Sequence, residues 1–254
     1  MSLTTLILRL AAPVPKVESF SRYVFIGPHP DDIEIGAGAT AARLAAAGKE
    51  VVFLICTDGR YGDEHACVTG DALAALRREE ALRSAALLGV HDVRFLNLCD
   101  GGFYAQEELV AAMAKVIGDV QPDILLAPDP CVTSEAHADH LNVGRAAQHL
   151  AQCALNRGVM AAYGAKAAPV KAAAFFMTAR PNRFVRTAGH FRQQLDAIFS
   201  CHVSQFPPGG PEGKNVALYL RVRALDFGLR SLKGLAEGFR VLGALHMHCM
   251  PEIR

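Results

Sequence analysis

Four short apolar runs, each followed by a helical pattern, limit most strongly what this chain of 254 residues can fold into. The runs lie at residues 23–26, 51–57, 93–98 and 123–128. The second run is continuous and rich in β-branched residues, which is typical of parallel strands covered on both faces. Strands that alternate with helices over short connections predict βαβ units. We therefore predict an α/β fold with a Rossmann-like, mostly parallel sheet and helices on both faces.

The remaining elements follow from periodicity and from glycine and proline. Helices are predicted at about 35–47, ended by Gly48, and at 71–88, 107–117 and 141–157, the last ended by Gly158. Beyond Gly158 we predict strands at 172–177, 183–186 and 239–245, helices at 190–201 and 216–233, and a flexible rim or lid at 206–214. The chain is predicted to be one domain, 1–254. It comprises an amino-terminal arm or extra strand (1–21), a Rossmann-like core (22–158) and a smaller carboxy-terminal strand and helix region (159–254) that completes the sheet and the substrate rim.

Composition excludes several classes of protein. The 26 basic and 25 acidic residues nearly balance, which argues against nucleic acid as a partner. The seven cysteines are scattered without a CxxC pair, so neither a disulfide framework nor a thiolate zinc cluster is indicated, and a cytoplasmic location is expected. The apolar stretch 3–10 is short and contains Arg9, so it is interpreted as an arm or strand and not as a signal peptide. No run is long enough to span a membrane.

The loop after the first predicted strand carries His29, Asp31 and Asp32. In an open α/β sheet, ligands bind just past the carboxyl ends of the strands. His29 and Asp32 are suitable first ligands of a zinc site, and Asp31 beside them is suited to be a base. The alternative is an ordinary surface turn, because proline, glycine and aspartate favour turns.

A second polar stretch, 135–140, follows the fourth predicted strand. Two histidines and a carboxylate with a fourth position open are a standard catalytic zinc set, and either His137 or His140 completes it. The other histidine is then available to stabilise an oxyanion and to protonate a leaving group, with Asp139 to orient it. The alternative is a helix start with Asp139 as N-cap and two partly exposed histidines.

The predicted helix 71–88 places Arg77, Glu80 and Ser84 within its apolar arc. A charged pair there is costly unless its members meet each other, a ligand or water. A routine surface ion pair at an exposed helix edge remains the alternative.

Three further patterns in the sequence are weaker indications of a functional site. The glycines of 36–41 match G-x-G-x-x-A with Asp58 about twenty residues later, but nine residues separate them from the first strand, so close packing on the sheet is favoured over dinucleotide binding. The run 246–249 alternates metal-binding residue types and is interpreted as a frayed strand. Cys56 and Cys131 lack an obvious activating partner.

The residues 28–32 (Pro-His-Pro-Asp-Asp) and 137–140 (His-Ala-Asp-His) together resemble the paired signature of the LmbE-like (PIG-L) N-acetylglucosaminyl deacetylases. The resemblance is nearest to the bacillithiol-type branch and extends through 57–59, 76–81, 88–90, 204–206 and 236–239. It therefore covers about residues 23–245. Pro28 stands where alanine is usual, Thr187 where aspartate is common, and Tyr219 is a candidate for a tyrosine that some members use.

The resemblance implies a set of roles. Zinc, or alternatively Fe2+, is expected on His29, Asp32 and His140, with Asp31 as general base. His137 is expected to act as the electrophile or acid and to be held by Asp139. Arg77 and Asp58 are expected to contact substrate.

The expected reaction is removal of the acetyl group from an N-acetylglucosamine-type small molecule, which releases acetate and an amine. A metal-dependent hydrolase of another amide or an ester is the first alternative, and a non-catalytic sugar-binding module is the second. Substrate specificity is expected to lie in the loops 58–71 and 206–215. The sequence leaves open whether the chain forms a homo-oligomer.

Overall fold

A computed structural model describes residues 6–7, 10–62 and 68–248. Within these ranges the strands are β1 (Arg22–Gly27), β2 (Glu50–Thr57), β3 (Asp92–Leu98), β4 (Ile124–Pro128), β5 (Ala172–Phe176), β6 (Arg183–Arg186) and β7 (Ala236–Gly243). The helices are α1 (Asp32–Ala46), α2 (Gly70–Leu87), α3 (Gln106–Val120), α4 (Ala138–Cys153), α5 (Arg157–Ala162), α6 (Phe191–Cys201) and α7 (Pro211–Ser231). Short 3-10 helices lie at Val17–Ser19 and Ala244–Met247.

The strands form one sheet in the order β3-β2-β1-β4-β5-β7-β6. The first five are parallel, and β7 runs antiparallel to both β5 and β6. The predicted α/β fold with a mostly parallel sheet is confirmed. Because the chain builds outward from β1 through β2 to β3 and then returns to β4 on the other side of β1, the sheet has its topological switch point between β1 and β4.

Each face of the sheet carries its own apolar core. On one face, alanines of α1, α2 and α6 pack against alternate residues of the strands, among them Phe25, Phe53 and Phe239. On the other face, α3, α4 and α5 pack against the intervening strand residues, such as Ile26 and Leu54. Both faces of the central strands β1, β2, β4 and β5 are therefore buried, as the continuous apolar run at 51–57 predicted for β2. None of the helices within the described ranges combines the length and apolar character needed to cross a bilayer.

Several helix boundaries differ from prediction, among them the following three. Helix α1 begins at Asp32, three residues early. The predicted helix 141–157 is two helices, because the Asn156 side chain accepts from the N–H groups of Gly158 and Val159 and starts α5; Gly158 therefore does not end a helix. The predicted loop 206–214 is partly helical, because Pro211 is the first residue of α7, where its missing N–H costs nothing.

The carboxy-terminal strand is also displaced from prediction, since β7 starts at Ala236 and the chain after Gly243 forms a 3-10 turn. In that turn His246 accepts from the Gly243 N–H through Nδ1 and contacts the Ala12 carbonyl through Nε2. Much of the predicted amino-terminal strand 3–10, part of the loop 58–71, and Cys249 lie outside the described residues.

The glycine-rich start of α1 packs against the sheet, as predicted. A Cβ on Gly36 would lie 2.2 Å from the Phe176 ring. The helix is also kinked at Ala37, which frees backbone N–H groups just beyond it. The buried carboxylate of Glu237 accepts from the N–H groups of Ala39 (3.2 Å) and Thr40 (2.8 Å). A carboxylate of the protein itself therefore occupies the helix end where a dinucleotide fingerprint would bind phosphate.

Candidate functional site

The switch point brings together the loops after β1 and β4. His29 and Asp32 follow β1, and His140 lies in the first turn of α4, which follows β4. Asp32 Oδ2 is 3.0 Å from His29 Nδ1, and Asp32 Oδ1 is 3.4 Å from His140 Nε2. The two parts of the sequence pattern thus meet in space.

These three residues fit a zinc ion by donor type and spacing. One donor atom from each lies within 4.8 Å of the others. Tetrahedral zinc ligands at about 2.0–2.1 Å are about 3.3 Å apart, which is close to the 3.0 Å and 3.4 Å that separate the two histidines from the two oxygens of Asp32. Histidines that ligate metals donate their other ring N–H to an acceptor. His29 turns Nε2 toward Asp100 (3.1 Å) and Asp139 (3.3 Å), and His140 turns Nδ1 toward Glu135 (2.9 Å).

Asp100 and Glu135 were not predicted from the sequence to be site residues. Asp100 follows β3, another strand that ends at this edge, and an acidic residue before two glycines there was the available signal. Glu135 opens the stretch that carries both histidines, and it also accepts from the His137 N–H (2.8 Å). Only its position in space reveals that it faces His140.

A second group of donor atoms overlaps the first. His29, Asp100, His137 and Asp139 also lie close enough to hold one ion. This group uses His29 Nε2, whereas the first group uses Nδ1. The two candidate positions therefore compete for opposite sides of one imidazole ring.

Carboxylates and imidazoles in the site compensate one another's charge. Burial opposes the charge of His29, but hydrogen bonds with Asp100, Asp139 and Asp32 outweigh it and raise the pKa of His29 well above its usual value. Burial likewise opposes charge on His140, and Asp32 and Glu135 overcome it to raise its pKa to about 9. Burial disfavours ionised Asp32, but the two histidines hold its pKa well below the usual range. A cation that enters this site displaces protons from the histidines.

Asp31 is held in an unusual backbone conformation. Its φ of 149° lies in the region that favours glycine. Burial raises the pKa of the Asp31 carboxyl to about 6, against the opposing effect of Arg77. A carboxyl that is buried near Asp32 and His29 is suited to accept a proton near neutral pH.

Arg77 lies beneath this loop. It is 2% exposed, and its guanidinium donates to the carbonyls of Gly59 (3.0 Å) and Pro30 (3.2 Å) and to Asp31 Oδ1 (3.3 Å). Glu80, also buried, accepts from the N–H and hydroxyl groups of Ser204. Arg77 and Glu80 on α2 therefore lie in the interior of the protein. Their side chains bind different loops and do not bind each other. A direct contact between Arg77 and substrate remains a prediction.

His137 and Asp139 flank the site on the α4 side. Asp139 is fully buried and accepts from the N–H groups of Gly101 (2.9 Å) and Gly102 (3.0 Å). Its Oδ2 is 3.7 Å from His137 Nδ1 and 3.3 Å from His29 Nε2. Burial, together with His29 and His140, lowers the pKa of His137. His137 is half-exposed at the mouth of the site, where a substrate could reach it.

The remaining predicted positions lie around this centre. Asp58 accepts from Arg60 through Nε (2.8 Å) and through the second guanidinium nitrogen (2.6 Å), and its substrate contact remains a prediction. Tyr219 lies on α7, where its hydroxyl accepts from Arg223. Cys56 is buried, which raises the pKa of its thiol.

The chain is similar in sequence to several known deacetylases. A family model described as GlcNAc-PI de-N-acetylase (PIG-L) matches residues 24–151, which contain both halves of the site. The diacetylchitobiose deacetylase of Thermococcus kodakarensis is 35% identical over 230 residues, 89% of this chain and 85% of that protein. The 1D-myo-inositol 2-acetamido-2-deoxy-alpha-D-glucopyranoside deacetylase of Kineococcus radiotolerans is 32% identical over 208 residues, 70% of this chain but only 57% of that protein.

A solved structure gives the same result over nearly the whole chain. The N,N'-diacetylchitobiose deacetylase from Pyrococcus horikoshii, solved with an inhibitor, superposes with a TM-score of 0.88 at 29% identity. It covers 99% of this chain and 97% of its own. The predicted family is confirmed, and this chain belongs to the PIG-L family.

Proposed function

We propose that the protein is a zinc-dependent deacetylase of an N-acetylglucosamine-type sugar. The observation that carries the proposal is the arrangement around Asp32. His29 and His140 each turn one ring nitrogen toward Asp32 and the other toward an outer carboxylate. That is the ligand and support pattern of a catalytic zinc site. Deacetylase relatives over most of the chain support the reaction type.

The residues of the site have separate roles in the proposed amide hydrolysis. His29, Asp32 and His140 would hold the ion, which as a Lewis acid polarises a carbonyl and acidifies water. Asp31 accepts the proton of the attacking water as that water adds to the acetyl carbon. His137, with Asp139 behind it, donates an N–H to the developing oxyanion. It gives a proton to the departing nitrogen from its imidazolium form, and the proton that Asp31 took from water then leaves Asp31 for solvent. The C–N bond breaks, and acetate and a free amine leave.

The substrate class is a small N-acetylated amino sugar. The two named relatives act on diacetylchitobiose and on an acetamido-glucopyranoside of inositol, and both names contain an acetylated glucosamine unit. We propose the same unit for this chain.

Acetate release tests the reaction. Zinc-loaded protein is incubated with N,N'-diacetylchitobiose and a panel of N-acetylglucosamine glycosides, and acetate and free amine are quantified. Asp31→Asn is expected to lose at least about 100-fold in kcat/KM, because a general base contributes roughly 10²–10⁴. Asp196→Asn, a matched change at an exposed position on α6, should leave turnover intact.

The same panel separates the alternatives. Turnover of simple esters or unrelated amides without acetate release from amino sugars would favour a different hydrolase. Sugar binding by metal-free protein, with no turnover by the loaded form, would favour a binding module. Full activity of Asp31→Asn would show that the base is another group.

A further inference from the structure

Two exposed aromatic side chains lie together beside the candidate site. Tyr61, in the loop after β2, is 60% exposed, and Phe103, in the loop after β3, is 71% exposed. Their ring centroids are 6.1 Å apart with 78° between the ring planes, which is an edge-to-face arrangement. Three of the exposed large hydrophobic side chains in the described part of the chain are aromatic, and two of them meet here. Single exposed apolar residues are ordinary, but such a pair offers uncovered ring faces to a ligand.

Tyr61 is attached to the carboxylate that supports His29. Its backbone N–H donates to Asp100 Oδ2 (3.2 Å), while Asp100 Oδ1 lies 3.1 Å from His29 Nε2. The turn before Tyr61 is fixed as well, because buried Arg77 donates to the Gly59 carbonyl (3.0 Å). The backbone of the tyrosine is therefore positioned by the network that surrounds the candidate metal ligands, and its ring extends from there into solvent.

Phe103 is positioned by the turn that binds Asp139. The N–H groups of Gly101 and Gly102 donate to Asp139 at 2.9 Å and 3.0 Å. Both glycines have positive φ, 84° and 78°, a backbone conformation that side chains disfavour. A Cβ on Gly101 would lie 3.0 Å from the Phe103 ring and 3.6 Å from the Tyr61 ring. Glycine at this turn therefore lets the two rings approach each other above it.

The pair lies on the side of the site where His137 is exposed. A Cβ on Gly102 would lie 3.2 Å from the Ala138 Cβ, so the loop that carries Phe103 packs on the residue next to His137. His137 is the half-exposed side chain at the mouth of the site. A molecule whose amide carbonyl reaches His137 from solvent therefore has its remaining groups beside the two aromatic rings.

The chemistry of the pair fits the flat face of a pyranose ring. In the gluco configuration the substituents beyond the anomeric carbon are equatorial, so both faces of the sugar ring carry axial C–H groups. These C–H groups have a small positive charge and pack favourably on the negative face of an aromatic ring. An open pair of rings covers one face of the sugar and leaves its hydroxyl groups hydrated, which avoids the cost of burying them.

We propose that Tyr61 and Phe103 form a platform for the second sugar unit of the substrate, the unit linked to the one that loses its acetyl group. This inference rests on the proposed function, which places the acetylated unit at the candidate zinc ligands. The platform makes a disaccharide a better substrate than free N-acetylglucosamine. Because the second unit stacks equally in the ground state and in the transition state, the platform lowers KM and leaves kcat unchanged.

Kinetics on N,N'-diacetylchitobiose and on free N-acetylglucosamine test the platform. Phe103→Ala should raise KM for the disaccharide about 10-fold, with kcat and the kcat/KM of the monosaccharide changed less than about twofold. Phe103→Leu keeps an apolar side chain without an aromatic face and should behave like Phe103→Ala, whereas Phe103→Trp should retain the low KM. Leu155→Ala is the matched control, because Leu155 is 64% exposed between α4 and α5. Thermal unfolding verifies that each variant is folded.

A binding measurement distinguishes failure of the platform from failure of the proposed function. The chain has no tryptophan, so Phe103→Trp carries a single fluorescent reporter on the platform. Titration with chitobiose, which has no acetyl group to lose, should change the emission of that reporter. Adding Tyr61→Ala to this variant should weaken chitobiose binding several-fold. An emission change without acetate release from any sugar would reject the proposed reaction and retain the platform.

Three outcomes overturn the platform while the proposed function stands. The first is acetate release with an unchanged disaccharide KM in Phe103→Ala and no emission change in Phe103→Trp. The second is an equal loss for disaccharide and monosaccharide, which would place the acetylated unit itself on the rings. The third is a lower kcat with an unchanged KM, which would mean that Phe103 supports the turn that binds Asp139 and not the sugar.

Discussion

Asp31 combines a backbone conformation that favours glycine with a buried, ionisable side chain. Its φ of 149° is of the kind that costs of order 1–3 kcal/mol and persists only where neighbours enforce it. Arg77 and the turn of backbone between His29 and Asp32 provide that enforcement. The strained backbone belongs to a buried carboxyl with a pKa of about 6, which contacts Arg77 and adjoins the ligand candidate Asp32.

The first prediction concerns the acidic limb of the activity profile. Asp31 must be ionised to accept a proton, so kcat/KM rises as pH increases through its pKa. A bound cation favours the charged carboxylate, so the limb of the loaded enzyme should lie at or below pH 6. Arg77→Met removes a nearby positive charge and should move the limb to higher pH. The measurement is the pH dependence of kcat/KM.

Arg78→Met is the matched control for that experiment. Arg78 is the next residue on α2, but it is exposed and bonds to Asn97 on β3. The acidic limb of the kcat/KM profile of Arg78→Met should coincide with that of the wild type. An acidic limb above pH 7 in the wild type, or equal limbs for the two arginine variants, would contradict the role given to Asp31.

The second prediction decides between the two overlapping metal positions. Asp32→Asn removes a proposed ligand and should reduce bound zinc to a small fraction of an ion per chain. Asp100→Asn removes only an outer partner of His29 and should weaken affinity about 10–100-fold while leaving the site fillable at high zinc. Metal content after dialysis and a competition titration measure both. The reverse outcome would place the ion between His29 Nε2, Asp100 and His137.

At the scale of residues, the sequence pointed to the three candidate ligands that meet around Asp32 and to Asp139, but not to Asp100 and Glu135. His29, Asp32 and His140 belong to patterns of fixed spacing, so a short stretch of chain reveals them. Asp100 and Glu135 act by facing a histidine across 71 and 5 positions of sequence respectively, and no local pattern encodes such a meeting. The burial of Arg77 was signalled only as a polar residue within an apolar arc.

At the scale of elements, helix α1 depends on a residue about two hundred positions away. The kink at Ala37 interrupts its hydrogen bonds, and Glu237 on β7 caps the segment that follows. Local signals located most helices to within a few residues. The local signals did not predict helix features that a side chain determines. Asn156 determines the start of α5, and Glu237 caps the kink within α1.

The third prediction follows from that cap. Burial raises the pKa of Glu237 to about 7, above the 4.5 of an unfolded chain. The folded state therefore binds this proton more tightly, so the contribution to stability is largest below pH 4.5 and is lost as pH rises through 7. The expected loss is about 3 kcal/mol at most. Urea unfolding from pH 5 to pH 8 measures it.

Glu237→Gln serves as the comparison, since it keeps the size and one acceptor but cannot ionise. The difference in unfolding free energy between wild type and Glu237→Gln should shift in favour of the variant between pH 5 and pH 8. Parallel curves for the two proteins would mean that Glu237 does not titrate in this range.

At the scale of the whole molecule, the site joins two halves of the sheet. His29 and Asp32 follow β1, and His140 follows β4, on either side of the switch point. The alternation of strands and helices was sufficient to predict this convergence, because right-handed crossovers place successive loops on one edge. The order of β5, β7 and β6 was not predictable in the same way, since it depends on one strand that pairs antiparallel to two neighbours.

The fourth prediction concerns the effect of the ion on global stability. An ion held by residues from both halves binds only the folded chain, so zinc at about 100 times its dissociation constant should add about 2.7 kcal/mol. For a chain of this length that corresponds to a rise of roughly 5–10 °C in the unfolding midpoint. Differential scanning calorimetry with zinc and with chelator measures it. Asp32→Asn should unfold at the same temperature in both, and a zinc-dependent shift in that variant would indicate another site.

The Glu237 carboxylate at the kink of α1 also has a consequence for what else the fold can bind. Its two oxygens are held where a free phosphate group would otherwise approach two backbone N–H groups. A ligand fixed within the fold competes at an effective concentration at or above the millimolar range of short linkers. This helix end therefore carries a permanent intramolecular competitor. A nucleotide could enter only after Glu237 had been replaced, and that replacement would remove the cap on which the second half of α1 depends.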